Sequence, residues 1–189
     1  MLCSSCISFG NGFGTLMIVR VKEALHKVIL GNSQYNLCEL ECANMTMLAL
    51  SEMPLSTGSV IDLDYCGLTY APIEAEWRKV LTVSDVQKSA VEELSPNFVV
   101  EVEGQVRLLT ARKYTGEREV VTSLAEVTKP TYRGKSLKLD LVALQPACCK
   151  KLEMADFKNV RLRGTLRKDK FTDKVMLRVK HVYEKEDNS

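Results

Sequence analysis

Histidine is nearly absent from this chain of 189 residues. Neither His26 nor His181 has a nucleophile or a metal partner at motif spacing, which removes the usual general bases. There is no phosphate-cradling glycine loop of the Walker type, and the glycines at 10, 12 and 14 stand in an irregular context. The carboxylate pairs Asp62/Asp64 and Glu74/Glu76 fall on strand-like segments, where solvent-facing alternation explains them. These absences predict a protein without catalysis and without a cofactor. No apolar run nears the roughly 18 residues of a membrane span, so no membrane partner is expected. The opening residues lack the basic flank and apolar core of a signal peptide, which predicts an intracellular, cytoplasmic protein.

Cysteine is present in odd number, seven in all, as unpaired thiols in a reducing compartment would be. Cys3, Cys6, Cys38 and Cys42 could together offer zinc four thiolates. Against this, Cys38 and Cys42 share one face of an apparent strand about 13 Å apart, and no glycine or proline makes a knuckle there. Buried thiols and no metal are the expectation, with Cys148 and Cys149 adjacent on a helix as further core or surface thiols.

Charge is divided unevenly. Residues 1–94 hold six Lys and Arg against eleven Asp and Glu, a balance of −5. Residues 95–189 hold twenty against thirteen, or +7, which together give the net +2. The chain therefore divides into a loose leader (1–14), an acidic β-rich module (15–94), a basic module (95–184) and a tail (185–189), with Ser95-Pro96-Asn97 at the boundary. Only the basic module suits a polyanion.

In the acidic module, residues 16–22, 27–30, 35–42 and 59–65 read as strands, 45–50 as a buried strand or helical turn, and 72–83 as a last strand carrying Trp77. Ser84 is placed to cap a short helix over 85–94. No internal repeat is visible in the residues. The basic module is clearer. A long strand over 98–110 contains Gly104, as a bulge or sharp coil at a barrel corner requires. A return strand over 118–127, a basic loop over 129–135 and a strand over 136–144 follow, and Pro146 opens a helix to about Phe157. In the closing hairpin from Asn159, Val160, Leu162, Gly164 and Leu166 face one way, and Arg161, Arg163, Thr165 and Arg167 the other. The expected fold is mainly β: a five-stranded barrel with one inserted helix, preceded by a smaller barrel-like module.

Four elements of residues 98–183 carry a resemblance to the bacterial and phage single-stranded DNA-binding proteins, built on the OB-fold barrel. Val102-Glu103-Gly104-Gln105-Val106 looks like the glycine-bearing first strand. Leu139-Asp140-Leu141-Val142-Ala143-Leu144 before a helix looks like the third strand and its connection. Residues 157–166 resemble the lysine, valine and glycine pattern entering strand four, and Lys170-Phe171-Thr172-Asp173-Lys174 the loop that carries an aromatic. Only Phe171 stands where the family places stacking aromatics, and the family's acidic C-terminal tip has no counterpart in Asp187, Asn188 and Ser189.

The resemblance implies binding of single-stranded nucleic acid, DNA favoured, in replication, recombination or repair. A basic groove would hold phosphates and aromatic rings would stack on bases. Loop aromatics beside basic residues supply three candidate stations: Tyr114 with Arg112 and Lys113, Tyr132 with Arg133 and Lys135, and Phe171 with Lys170. Arg161, Arg163, Arg167 and Arg178 would line the phosphate track, and a solvated outer face is the plain alternative for them. RNA binding, or a protein-assembly scaffold made of small barrels, remain open as alternatives. The acidic module would then serve a protein partner or a homo-oligomer.

Overall fold

Alternation along the C-terminal half closes a barrel. The computed structural model describes residues 16–114, 120–169, 171–172 and 174–184, and side chains for all of these outside 110–123. Strands β1 (Met17–Leu30), β2 (Ser33–Cys42), β3 (Met45–Ser51), β4 (Val60–Leu63), β5 (Cys66–Ile73), β6 (Glu76–Val83) and β7 (Gln87–Lys88) form the first half. β8 (Val99–Tyr114), β9 (Val120–Pro130), β10 (Ser136–Ala143), helix α1 (Pro146–Met154), β11 (Asn159–Lys168) and β12 (Val175–Glu184) form the second.

In the second half β8 pairs β9, β9 pairs β10, β10 runs parallel to β12, β12 pairs β11, and β11 returns to β8. This is a closed five-stranded ring with one helix between its third and fourth strands, as expected of an OB barrel. Leu137, Leu139, Leu141, Val160, Leu162, Leu166, Leu177 and Val179 point inward and are buried. Pro146 starts α1, which buries Cys148, Cys149 and Leu152 against the ring. The helix ends at Met154, short of Phe157, which takes a left-handed φ of 60°.

Gly104 stands where β8 exchanges β11 for β9 as its partner. A Cβ there would lie 2.5 Å from the Thr128 carbonyl oxygen and 2.9 Å from Val127 Cγ2, so close approach explains the glycine. The bulge falls later, between Leu108 and Thr110.

The first half traces the same pairing circuit, without an inserted helix and with its fourth strand divided. β1 pairs β2, β2 pairs β3, and β3 runs parallel to β6. The fourth position is split at Asp64 and Tyr65: β4 pairs β1, whereas β5 pairs β6. Several sequence expectations need correction here. The segments over 16–22 and 27–30 are one strand, β1, with register shifts that absorb its coiling. The last strand over 72–83 is a hairpin, β5 and β6. Its turn, Glu74 and Ala75, has φ of 52° and 68° without the glycine or asparagine that normally marks such a turn. No helix forms over 85–94. Ten residues are marginal for a helix without a deep apolar face, and Gln87–Lys88 instead pairs with β4.

The two circuits are joined. Cys66 and Gly67 of β5 pair in parallel with Val100 and Glu101 of β8. At the boundary the Ser95 carbonyl accepts from the Ala43 N–H (2.9 Å), and the Pro96 carbonyl from the Asn44 N–H (3.1 Å). The Ile18 N–H donates to Ser95 Oγ at 2.9 Å. One buried apolar cluster runs from Met17 through Phe98 to Val182. A smaller cluster, Leu37, Leu50, Ala71, Ile73 and Val80, lies on the other face of β2, β3, β5 and β6. Cys38, Cys42, Cys66, Cys148 and Cys149 are buried and unbridged, and no metal-holding cluster occurs among the described residues. Burial pushes the Cys38 thiol up to about 11 and Cys66 up to about 12, so both stay protonated at neutral pH. Cys3 and Cys6 lie outside the described residues.

Candidate nucleic-acid interface

The outer side chains of the second ring fall into two groups. β8, β11 and β12 carry the first. Arg161 pairs with Glu101 at 3.5 Å and lies 4.7 Å over the Tyr183 ring. Arg163 donates through Nη2 to the carboxylate of Asp64 at 2.9 Å and to its backbone carbonyl at 3.1 Å. Its guanidinium also sits 5.2 Å from the Tyr65 ring centre. Arg163 thus fastens the second barrel to the break in the first barrel's split strand.

The second group spans β9, β10, β12 and β11. Register puts Leu124, Val142, Arg178 and Thr165 in one cross-strand row, and Glu126, Asp140, Met176 and Arg167 in the next. Among the described residues neither Arg167 nor Arg178 has an ion-pair partner. Their charges are therefore available to an incoming anion, in contrast to those of Arg161 and Arg163.

At the end of this face the β11–β12 turn lifts Phe171 into solvent, 96% exposed. The turn is set by Asp169, whose carboxylate accepts from the N–H groups of Phe171 (2.7 Å) and Thr172 (2.8 Å). Those two bonds hold the Asp169 carboxyl below the usual carboxylate range. An exposed ring held on a bonded turn loses little freedom when a base stacks on it. Lys170 lies outside the described residues. Arg112, Lys113 and Tyr114 lie at the far end of β8, with their side chains outside the description.

The basic loop after β9 docks on the first barrel. The Tyr132 hydroxyl accepts from the Gly31 N–H at 2.9 Å, at the tip of the β1–β2 hairpin. Lys135 Nζ lies 5.8 Å over the Trp77 ring on the β5–β6 hairpin. Lys129 Nζ donates to the Leu68 carbonyl at 3.3 Å. Tyr132 and Lys135 are thus spent on joining the barrels, whereas Arg133 is exposed and covers the Tyr132 ring at 5.2 Å.

Sequence reasoning missed Lys79. It is half-buried on β6, beside Asp140 and Lys174 of the second barrel. Burial pushes its ammonium below the usual lysine range; Asp140 opposes this and Lys174 adds to it. Asp140 is thus the counter-charge that the second barrel offers Lys79. No sequence signal marks it, because the contact depends on how the barrels dock.

No protein-family profile matches the chain, and no curated protein matches it in sequence. Among solved structures, its fold is similar to that of a single-stranded DNA-binding protein. That structure is the wild-type protein from Thermus aquaticus, with a TM-score of 0.53 at 9% identity, covering 93% of this chain and 95% of that one. A deletion mutant of the same protein matches with a TM-score of 0.52 at 12% identity, over 91% and 94%. At such identities the likeness is one of fold. It spans both barrels, and so extends well beyond the residues 98–183 that carried the sequence resemblance.

Proposed function

We propose that this chain binds single-stranded DNA without catalysing a reaction, through the face built by β10, β12 and β11 and the Phe171 turn. The observation that carries this reading is an exposed aromatic at the end of a face on which Arg167 and Arg178 have no ion-pair partner among the described residues. Arg167 and Arg178 neutralise phosphates, while Phe171 stacks on a base. The fold likeness to a single-stranded DNA-binding protein supports the same reading. Arg133 extends the track along the docked loop, and Tyr132, Lys135 and Arg163 hold the barrels in place beneath it. Arg161, engaged by Glu101, makes at most an edge contact. The acidic first barrel supplies contacts to protein, including a second copy of the chain.

Titration of a labelled twenty-residue oligo-dT at two salt concentrations tests the reading, with binding that weakens as salt rises. No binding at low salt would end it. Phe171→Ala should weaken binding about 5- to 150-fold, the worth of one stacked base, with the melting temperature unchanged. Stronger binding to oligo-U would assign the site to RNA instead.

A further inference from the structure

A second exposed aromatic stands at the opposite end of β11. Phe157 is 69% exposed, and with it are Leu109 at 54% and Met154 at 56%. The backbone brings these residues together. The Phe157 N–H donates to the Val106 carbonyl at 2.8 Å, and the Val106 N–H to the Lys158 carbonyl at 3.0 Å. Gln105 Nε2 donates to the Phe157 carbonyl at 3.3 Å, and Asp156 Oδ1 accepts from the Leu108 N–H at 2.7 Å. Phe157 therefore sits across from Arg107 on β8, beside the bulge at Leu109 and one turn past Met154.

The surroundings are charged. Arg107, across β8 from Phe157, and Lys158, next to it in the chain, are exposed; of the acids, Asp156 is engaged by the Leu108 N–H, and Glu126 lies opposite Arg107 on β9. Phe157 holds a left-handed φ of 60°, which costs a non-glycine residue about 1–3 kcal/mol in general. The four surrounding hydrogen bonds maintain it and keep the ring outside the core. An exposed aromatic ring on a fixed backbone, with Arg107 and Lys158 as its neighbours, has the chemistry of a base-stacking station, as at Phe171.

We propose that Phe157, with Arg107 and Lys158, is a second contact for the same single strand, at the far end of the second barrel. This rests on the function proposed above. β11 has ten residues, so it separates the two stations by about 33 Å. A short oligonucleotide engages one station, and a long one engages both, with the second contact made at high effective concentration.

The experiment compares oligo-dT of six and of thirty nucleotides on the full chain. Phe157→Ala should weaken the thirty-mer at least about fivefold and leave the six-mer, held at the Phe171 end, within about twofold. Because alanine at a left-handed φ could alter stability, the pair R107Q and K158Q serves as a second variant. It should reduce the salt slope for the thirty-mer by about 1.4 and leave that for the six-mer unchanged. If both variants bind the thirty-mer as the parent does, while Phe171→Ala weakens it, the second station is overturned and the first stands. If the parent binds neither length, both fall together. Equal weakening of both lengths by Phe157→Ala would also overturn the two-station arrangement.

Discussion

Replacing Phe98 by alanine should lower stability by about 3–5 kcal/mol and melt both barrels in one transition. Phe98 has no exposed surface and lies in the apolar cluster that runs through both circuits. Its carbonyl accepts from the Leu166 N–H at 2.9 Å. Removing the ring opens a cavity between the parts that the β5–β8 joint holds. Calorimetry and urea unfolding followed at Trp77 would check this, since Trp77 is in the first barrel. A first barrel that still melts at the parent temperature would show that the cluster does not couple the two.

The double variant R167Q/R178Q should weaken binding of oligo-dT in 0.1 M salt by about 25-fold. Each phosphate contact to a single strand contributes about 0.7 to the slope of log affinity against log salt, so two contribute about 1.4. Arg163→Gln is the informative contrast. Its guanidinium is engaged by Asp64, so that variant should keep the parent slope and lose about 1 kcal/mol of stability. A salt series on the three proteins decides the matter. An unchanged slope in the double variant would remove these arginines from the site, and a reduced slope in Arg163→Gln would return Arg163 to it.

The second barrel was largely legible in the sequence. Alternation in β10 and β11, Pro146 and the charged hairpin each act locally, so local pattern was enough. The first barrel was less so. Its β5–β6 turn has no glycine, its fourth strand is split, and β7 forms because β4 leaves an edge open. Neither the split nor the edge is written in residue spacing. The repeated circuit was invisible for the same reason: pairing order recurs while the residues do not. At the candidate site, sequence picked out Phe171 as an aromatic beside cations. It treated Arg161, Arg163, Arg167 and Arg178 as alike, because the carboxylates that separate them come from β8 and from the first barrel. Tyr132 and Lys135 have the composition of a stacking loop, yet Gly31 and Trp77 occupy them.

The docked loop has a consequence for how the chain is made. Leu50 and Ala71, on the outer side of the first barrel, share a pocket wall with Lys129 and Tyr132. Ribosomal synthesis completes β6 roughly fifty residues before Tyr132 appears, so at ~5–20 residues per second that wall stays uncovered for several seconds. In the full chain, Tyr132→Ala should accordingly raise the binding of a hydrophobic dye above that of the parent.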